Sequence, residues 1–209
     1  MHTFLDIENW NRKDHFLFFK EFDEPFYGFT VDIDCTLAYQ YAKDKGYSFF
    51  LYYLHKSLTA ANAVEPLKYR IVNDQVRISE TVDASATINR PDGTFGFSYM
   101  KYHENFQEFQ IHAKQVIEEI QKSSGLFPAF VGNTVIHFSS LPWIKFTALS
   151  HARNYSRPDS SPKISFGKMT EREGKKEMPV SIHVHHALVD GKDVGEYIKL
   201  FQDKMNELS

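Results

Sequence analysis

A strand that runs into a helix through two adjacent histidines is the feature of this sequence that most restricts its fold. Residues 178–184, Met-Pro-Val-Ser-Ile-His-Val, alternate in polarity, which is typical of a strand with one buried face. The next element repeats apolar residues every three or four positions, as on one face of a helix, at Val194, Tyr197, Ile198, Phe201, Met205 and Leu208. The chain must therefore turn between these two elements.

This turn carries groups suited to proton transfer. His186 and Asp190 share one tight bend, and Gly191 can adopt backbone angles that a side chain would forbid. A carboxylate beside an imidazole can hold it in one orientation for general base catalysis. Two alternatives stay open: an ordinary polar strand end, or a metal bound by His183 and His185. Zinc usually takes three or four ligands, and the sequence has no Cys pair or His-Glu-x-x-His pattern to supply the others, so we expect no metal.

The composition is that of a globular protein and excludes several classes of function. The 209 residues fit one domain, residues 1–209, and 42% of them are hydrophobic. A net charge of −3 gives no electrostatic reason to bind nucleic acid, and no apolar run is long enough to span a membrane. Cys35 is the single cysteine and the start of the chain lacks the pattern of a signal peptide, so we expect a cytoplasmic protein.

Patterns along the rest of the chain alternate between helices and strands. Helices are predicted over about 36–45, from Ser48 to about Val64, and from Asn105 to before Gly125. Strands or hairpins are predicted at 27–33, 67–72 with 76–79, 81–89 with 94–102, 133–138, 144–149, and 163–170 with 177–185. The sequence therefore predicts one α/β domain with a large mixed or mostly antiparallel sheet.

Several motifs in order along the chain resemble the chloramphenicol acetyltransferase family. They are Trp10-x-Arg12-x-x-His15-Phe16, Leu126-Phe127-Pro128 followed by Ser140-Leu141-Pro142-Trp143, Ser165-Phe166-Gly167-Lys168 followed by Met178-Pro179, and His185-His186-Ala187-x-x-Asp190-Gly191. The last motif also occurs in dihydrolipoamide acyltransferases, but the resemblance to chloramphenicol acetyltransferases extends over nearly the whole chain.

The resemblance implies a fold and a reaction. The fold would be a two-layer sandwich, with a large mixed, mostly antiparallel sheet and helices on one side. The chain would transfer an acetyl group directly from acetyl-CoA to the hydroxyl of a small acceptor, chloramphenicol or a related molecule, with His186 as general base. Asp190 would pair with Arg12 and support the loop. The active site would lie between subunits of a homotrimer, and the family is associated with antibiotic resistance.

The resemblance also implies roles for residues elsewhere. Phe18 and Phe19 would lie at the acceptor pocket, where Phe19 replaces a tyrosine of the family. Lys168 would lie near bound CoA. Ser165 occupies the position of a threonine that orients a water near the oxyanion.

One position departs from the family pattern in this alignment. The serine expected to donate a hydrogen bond to the oxyanion is aligned with Ala148, and losing one such donor costs about 10²–10³ in turnover. Thr147 would point to the other face if 144–149 were a strand. We therefore expect chloramphenicol to be a poor substrate. The alternative is a catalytically weakened family member that binds CoA or another ligand.

Overall fold

The computed structural model describes residues 2–127 and 134–208, which form five α-helices and ten strands. The helices are α1 (Lys13–Phe19), α2 (Thr36–Asp44), α3 (Phe49–Ala63), α4 (Phe106–Lys122) and α5 (Gly191–Asn206). The strands are β1 (His2–Phe4), β2 (Phe26–Asp34), β3 (Tyr69–Val72), β4 (Gln75–Ser79), β5 (Asp83–Asn89), β6 (Phe95–Phe97), β7 (Val135–Ser140), β8 (Lys163–Phe166), β9 (Thr170–Arg172) and β10 (Lys175–His185).

The main sheet is mixed and mostly antiparallel, as predicted. Its strands follow the order β2-β10-β8-β7-β5-β6, and β9 pairs with β10. Only the β5–β7 and β7–β8 pairs are parallel. A small antiparallel sheet, β1-β4-β3, stands apart, and β3 and β4 join through Asn73 and Asp74, which both have positive φ. The predicted mixed α/β class is therefore confirmed.

Helices cover one face of the main sheet. Helix α3 has almost no polar face and is buried along most of its length, because α5 packs beside it and the sheet lies beneath it. The Tyr53 and Phe201 rings, from α3 and α5, both contact the ring of Phe166 on β8. A hydrogen bond of 2.7 Å between the hydroxyls of Ser57 and Tyr197 joins the two helices.

The opposite face of the sheet carries two rows of polar side chains, because successive residues of a strand point to opposite faces. Register places Ser85, His137, Lys163 and His183 in one row. The second row consists of Thr87, Ser139, Ser165 and Ser181.

The predicted strand at 144–149 is wrong. Residues 141–162 contain no strand, and the chain instead turns at Pro142-Trp143, where the amide of Ile144 donates to the carbonyl of Leu141 at 3.1 Å. The carbonyl of Ile144 then accepts from the amide of Lys168, which also lies outside any strand. Strand β7 begins at Val135, and residue 133, where the sequence predicts its start, lies outside the described residues, as does Pro128.

Candidate active site

His186 lies at the point where β10 leaves the main sheet. Its amide donates to the carbonyl of Pro25 at 2.9 Å, just before β2 begins. Its carbonyl accepts from Nη2 of Arg12 at 3.0 Å. The amide of Val189 donates back to the carbonyl of His185, which closes the turn. The backbone on both sides of His186 is therefore fixed by hydrogen bonds.

The imidazole of His186 is held between two aromatic rings. The Phe19 ring stacks on one side, with centroids 3.9 Å apart and planes at 15°, and the Tyr27 ring lies 4.3 Å away. The hydroxyl of Tyr27 donates to the carbonyl of Val189 at 3.2 Å, which holds the tyrosine in place. Nδ1 of His186 is buried, while a third of the side chain remains exposed. The Nε2 edge is therefore the part of the ring open to a reactant.

A carboxylate and a guanidinium brace this imidazole. Oδ1 of Asp190 lies 3.5 Å from Nδ1 of His186, an electrostatic contact longer than an ordinary hydrogen bond. The other oxygen of Asp190 forms an ion pair with Nη1 of Arg12, whose pKa is lowered by burial. The Asp193 carboxylate accepts from the amide of Asp190 at 2.8 Å, and burial raises the pKa of Asp193. The structure thus brings together the three residues at 12, 186 and 190 that the sequence predicted as neighbours.

The neighbouring histidine has a different environment. His185 is almost completely buried, and burial lowers its pKa to about 4. Its Nδ1 accepts from the amide of Ala187 at 3.3 Å, and its ring packs edge-on against Phe26. His185 is therefore neutral at pH 7 and stabilises the turn.

Phe18 and Phe19, the two phenylalanines expected at the acceptor pocket, differ in what their rings contact. Phe19 contacts the His186 ring directly. Phe18 is 62% exposed, and its ring packs edge-on against Phe19 and Phe22. Phe18 thus forms part of an exposed aromatic surface beside His186.

A cavity of about 570 Å³ lies on the helix side of the sheet, and Lys168 is part of its wall. Aromatic and sulfur-containing side chains make up much of the lining, including Phe49, Phe50, Tyr53, Met169 and Met178. Ser140 also lines it and shares a hydrogen bond of 2.9 Å with the hydroxyl of Tyr53. The lining is mostly apolar with a cation and a few hydroxyls, which suits a long amphipathic ligand.

A second cavity, of about 350 Å³, lies on the polar side of the sheet. Its lining combines hydroxyls, imidazoles and phenyl rings, from Ser85, Thr87, Phe97, Ser98, Phe127, His137, Phe138, Ser139, His151, Ala152 and Lys163. Thr87 lines both cavities, so the two spaces adjoin at β5. Ser139 and Ser140, consecutive on β7, line one cavity each.

Ser165 and Ala148, at the two positions assigned to oxyanion stabilisation, lie in different environments. Ser165 pairs with Ser139 across β7 and β8, and its Oγ is buried without a hydrogen-bond partner among the described residues. Ala148 lies on the exposed loop that follows Pro142-Trp143. Because this loop is not a strand, the alternation argument that turned Thr147 away from the site does not apply.

Sequence reasoning missed the polar residues of the second cavity. Ser139, Thr87, His137 and His151 received no role, although polar residues alternate along β5 and β7 in the sequence. This alternation was visible in the sequence, but alternation alone does not show which polar face of a sheet lines a cavity.

His186 and the hydroxyls of the second cavity are far apart within one chain. Ser181 on β10 is in register with Ser165, which is in register with Ser139 two strands away. His186 lies five residues beyond Ser181. Strand rise and spacing therefore separate His186 from Ser139 by roughly 15–20 Å. His186 and these hydroxyls therefore do not meet within one chain.

No group of three or more histidine, cysteine or acidic side chains suited to a metal ion occurs within residues 2–127 and 134–208. No helix in these ranges is long and apolar enough to cross a membrane.

Comparisons with known proteins agree with this architecture. The sequence model of the chloramphenicol acetyltransferase family matches residues 1–202. A chloramphenicol acetyltransferase of Bacillus pumilus is 30% identical over 194 residues, which are 92% of this chain and 88% of the relative. A solved chloramphenicol acetyltransferase structure superposes with a TM-score of 0.90 at 32% identity, over 98% of this chain and 100% of that one.

A more distant structure shares the fold alone. A probable dihydrolipoamide acetyltransferase from Listeria monocytogenes 4b F2365 gives a TM-score of 0.69 at 14% identity, over 94% of this chain and 90% of that one. The family match by contrast covers almost the whole sequence. The protein therefore belongs to the chloramphenicol acetyltransferase family and is an acyltransferase.

Proposed function

We propose that the protein transfers an acetyl group from acetyl-CoA directly to a hydroxyl of a small acceptor, with His186 as general base. Nε2 removes the hydroxyl proton as the oxygen attacks the thioester carbonyl. The new C–O bond forms, the C–S bond breaks, and the CoA sulfur leaves with the proton that the imidazolium returns. The observation that carries this proposal is the fixed imidazole, stacked on Phe19 and braced by Asp190 and Arg12.

We assign acetyl-CoA to the larger cavity. Its size and largely apolar lining suit the pantetheine arm, and Lys168 supplies a cation for the phosphate groups. Acetyl-CoA is a co-substrate here, and the proposed reaction requires no metal. A buried free thiol at Cys35 and the use of acetyl-CoA both suit the cytoplasm.

We assign the acceptor to the smaller cavity, with His186 supplied by a neighbouring copy of the chain. The roughly 15–20 Å between His186 and Ser139 within one chain supports this arrangement, since a general base must come within hydrogen-bond reach. We propose a homotrimer, in which each interface joins the His186 half of one chain to the cavity half of the next. Light scattering that gives a stable monomer would contradict the trimer.

Ser139 is our candidate for the oxyanion donor in place of residue 148. Its Oγ lies 3.4 Å from Oγ1 of Thr87, where the two cavities adjoin. We retain Ser165 as a support for a water beneath it, since its buried Oγ has no partner in the described part of the chain. The catalytically weakened alternative rests on Ala148, and a donor at Ser139 would argue against it.

The test is a thiol-release assay with purified protein, acetyl-CoA and a panel of hydroxylated acceptors that includes chloramphenicol. We expect turnover with at least one acceptor, and loss of about 10²–10⁴ in kcat in His186→Ala. Unchanged rates in that variant would remove His186 from its role. Binding of CoA without any thiol release would favour the weakened alternative.

A further inference from the structure

The lining of the smaller cavity combines aromatic rings with nitrogen-bearing side chains. Phe97 and Phe127 supply stacked rings, with centroids 5.3 Å apart, on one side. His137, His151 and Lys163 line the other. One wall can therefore hold an aromatic ring while the other offers several hydrogen-bonding nitrogens.

Two of these nitrogens have capacity left for a ligand. Nε2 of His151 is buried and has no hydrogen-bond partner among the described residues. The Lys163 ammonium donates to Oδ2 of Asp159 at 2.5 Å and to the carbonyl of Ser161 at 3.2 Å. The ammonium also lies 4.4 Å from the centroid of the Phe26 ring, and its third donor is the one available to a group in the cavity.

The charges around this wall have a positive excess. The charged side chains that act on His137, His151 and His183 are three cations, Lys163, Arg153 and Arg70, and two carboxylates, Asp159 and Glu24. Arg70 is almost completely buried, and its two terminal nitrogens donate to backbone carbonyls rather than to a carboxylate. Burial and the nearby cations lower the pKa of His151 to about 4. Lys163 pairs with Asp159 and Arg153 pairs with Glu24, so the excess comes from Arg70, and a ligand with a negative charge would offset it.

We propose that the cavity selects hydroxylated acceptors that carry an oxyanion group such as a carboxylate, and that His151 and Lys163 bind that group. This inference rests on the proposed function, because it assigns a substrate class to the same site. The anion accepts hydrogen bonds from both nitrogens while the aromatic body of the acceptor packs on Phe97 and Phe127. Charge-assisted hydrogen bonds of this kind are stronger than neutral ones.

A matched pair of acceptors tests the charge directly. We would compare 4-(hydroxymethyl)benzoate with 4-(hydroxymethyl)benzamide, which present the same primary alcohol on rings of the same size. We expect kcat/KM to be about tenfold or more higher for the benzoate, mainly through a lower KM. Transfer at equal kcat/KM, or a preference for the amide, would overturn the inference and leave the proposed function intact.

Variants assign the preference to the cavity. His151→Leu should raise KM for the benzoate and reduce the preference, whereas His151→Gln, which keeps an N–H donor, should retain most of it. His112→Leu, the same change on helix α4 outside both cavities, should leave the preference unchanged. A preference that persists in His151→Leu would overturn the role of His151.

Calorimetric titration separates this inference from the proposed function. Absence of acetyl transfer to every alcohol, together with no binding of acetyl-CoA, would overturn the proposed function. Titration of the two alcohols into the oligomeric protein tests the inference without turnover. Benzoate binding about tenfold tighter than amide binding supports it, and equal affinity or no binding overturns it.

Discussion

The imidazole of His186 lies nearly parallel to the Phe19 ring at 3.9 Å between centroids, so the last residue of α1 sets the plane of the base. Phe19→Ala should lower kcat about tenfold, since an aromatic pair contributes about 0.5–1.5 kcal/mol and the ring would also lose its orientation. The KM for acetyl-CoA should not change, because Phe19 lines neither cavity. Steady-state kinetics of Phe19→Ala beside Phe19→Tyr measures this, and an unchanged kcat in the alanine variant would contradict it.

Because Arg12 and Asp190 form an ion pair, we expect the effects of removing each side chain on stability to be coupled. Arg12→Ala should reduce the free energy of unfolding by about 1–3 kcal/mol, less than a fully buried pair would because Asp190 is 39% exposed. The double variant Arg12→Ala/Asp190→Ala should recover part of this loss, since neither charge is then left without its partner. Thermal unfolding at one fixed protein concentration measures both changes, and strictly additive losses would argue against the pairing.

We expect the protein to lose stability at mildly acidic pH because three of its histidines have lowered pKa values. His137, His151 and His185 have folded-state pKa values lowered to about 4 from an ordinary 6.5, and burial is the main cause. The unfolded chain therefore binds more protons as the pH falls from about 6.5 towards 4, so the contribution of these histidines to the free energy of unfolding decreases across that window and is constant above it.

Urea unfolding of the wild type and of His185→Gln at several pH values measures this effect. His185 is 5% exposed and should account for about 1–2 kcal/mol of the decrease between about pH 6.5 and 5. The decrease should therefore be shallower in His185→Gln. The same slope in both proteins would exclude His185 as a source.

Variants at Ser139 and Ala148 test which of the two positions serves as the oxyanion donor. Ser139→Ala should reduce kcat by about 10²–10³, because one hydrogen bond to the tetrahedral intermediate is lost. Ala148→Ser should give no gain, because in our proposal Ser139 already supplies this hydrogen bond. Kinetics of both variants with one acceptor decides between them: a gain in Ala148→Ser with no loss in Ser139→Ala would restore the assignment made from the sequence.

Much of the fold could be predicted because local signals agreed with the tertiary structure. Helix α4 begins where Asn105 predicts it, and the Asn105 side chain accepts from the amides of Gln107 and Glu108. The same holds for Ser48 at the start of α3 and for the turn at Asn73 and Asp74. In each case the signal and the hydrogen bonds that satisfy it lie within a few residues.

The parts that could not be predicted depend on distant partners. Residues 144–149 have the composition of a strand but form a loop, so the argument that strand alternation turns Thr147 away from the site fails. The sequence did identify the neighbours Arg12, His186 and Asp190, through the family motifs. It gave no role to Ser139 or His151, because only the register of the sheet brings them to a common cavity.

The position of His186, remote from Ser139 in its own chain, has a genetic consequence. A His186→Ala chain lacks the base but keeps the cavity hydroxyl. A Ser139→Ala chain keeps the base but lacks that hydroxyl, so each chain supplies what the other lacks. Co-expression of His186→Ala and Ser139→Ala subunits should therefore regenerate active mixed assemblies from two inactive parents, whereas both changes placed in one chain should not be rescued by self-association.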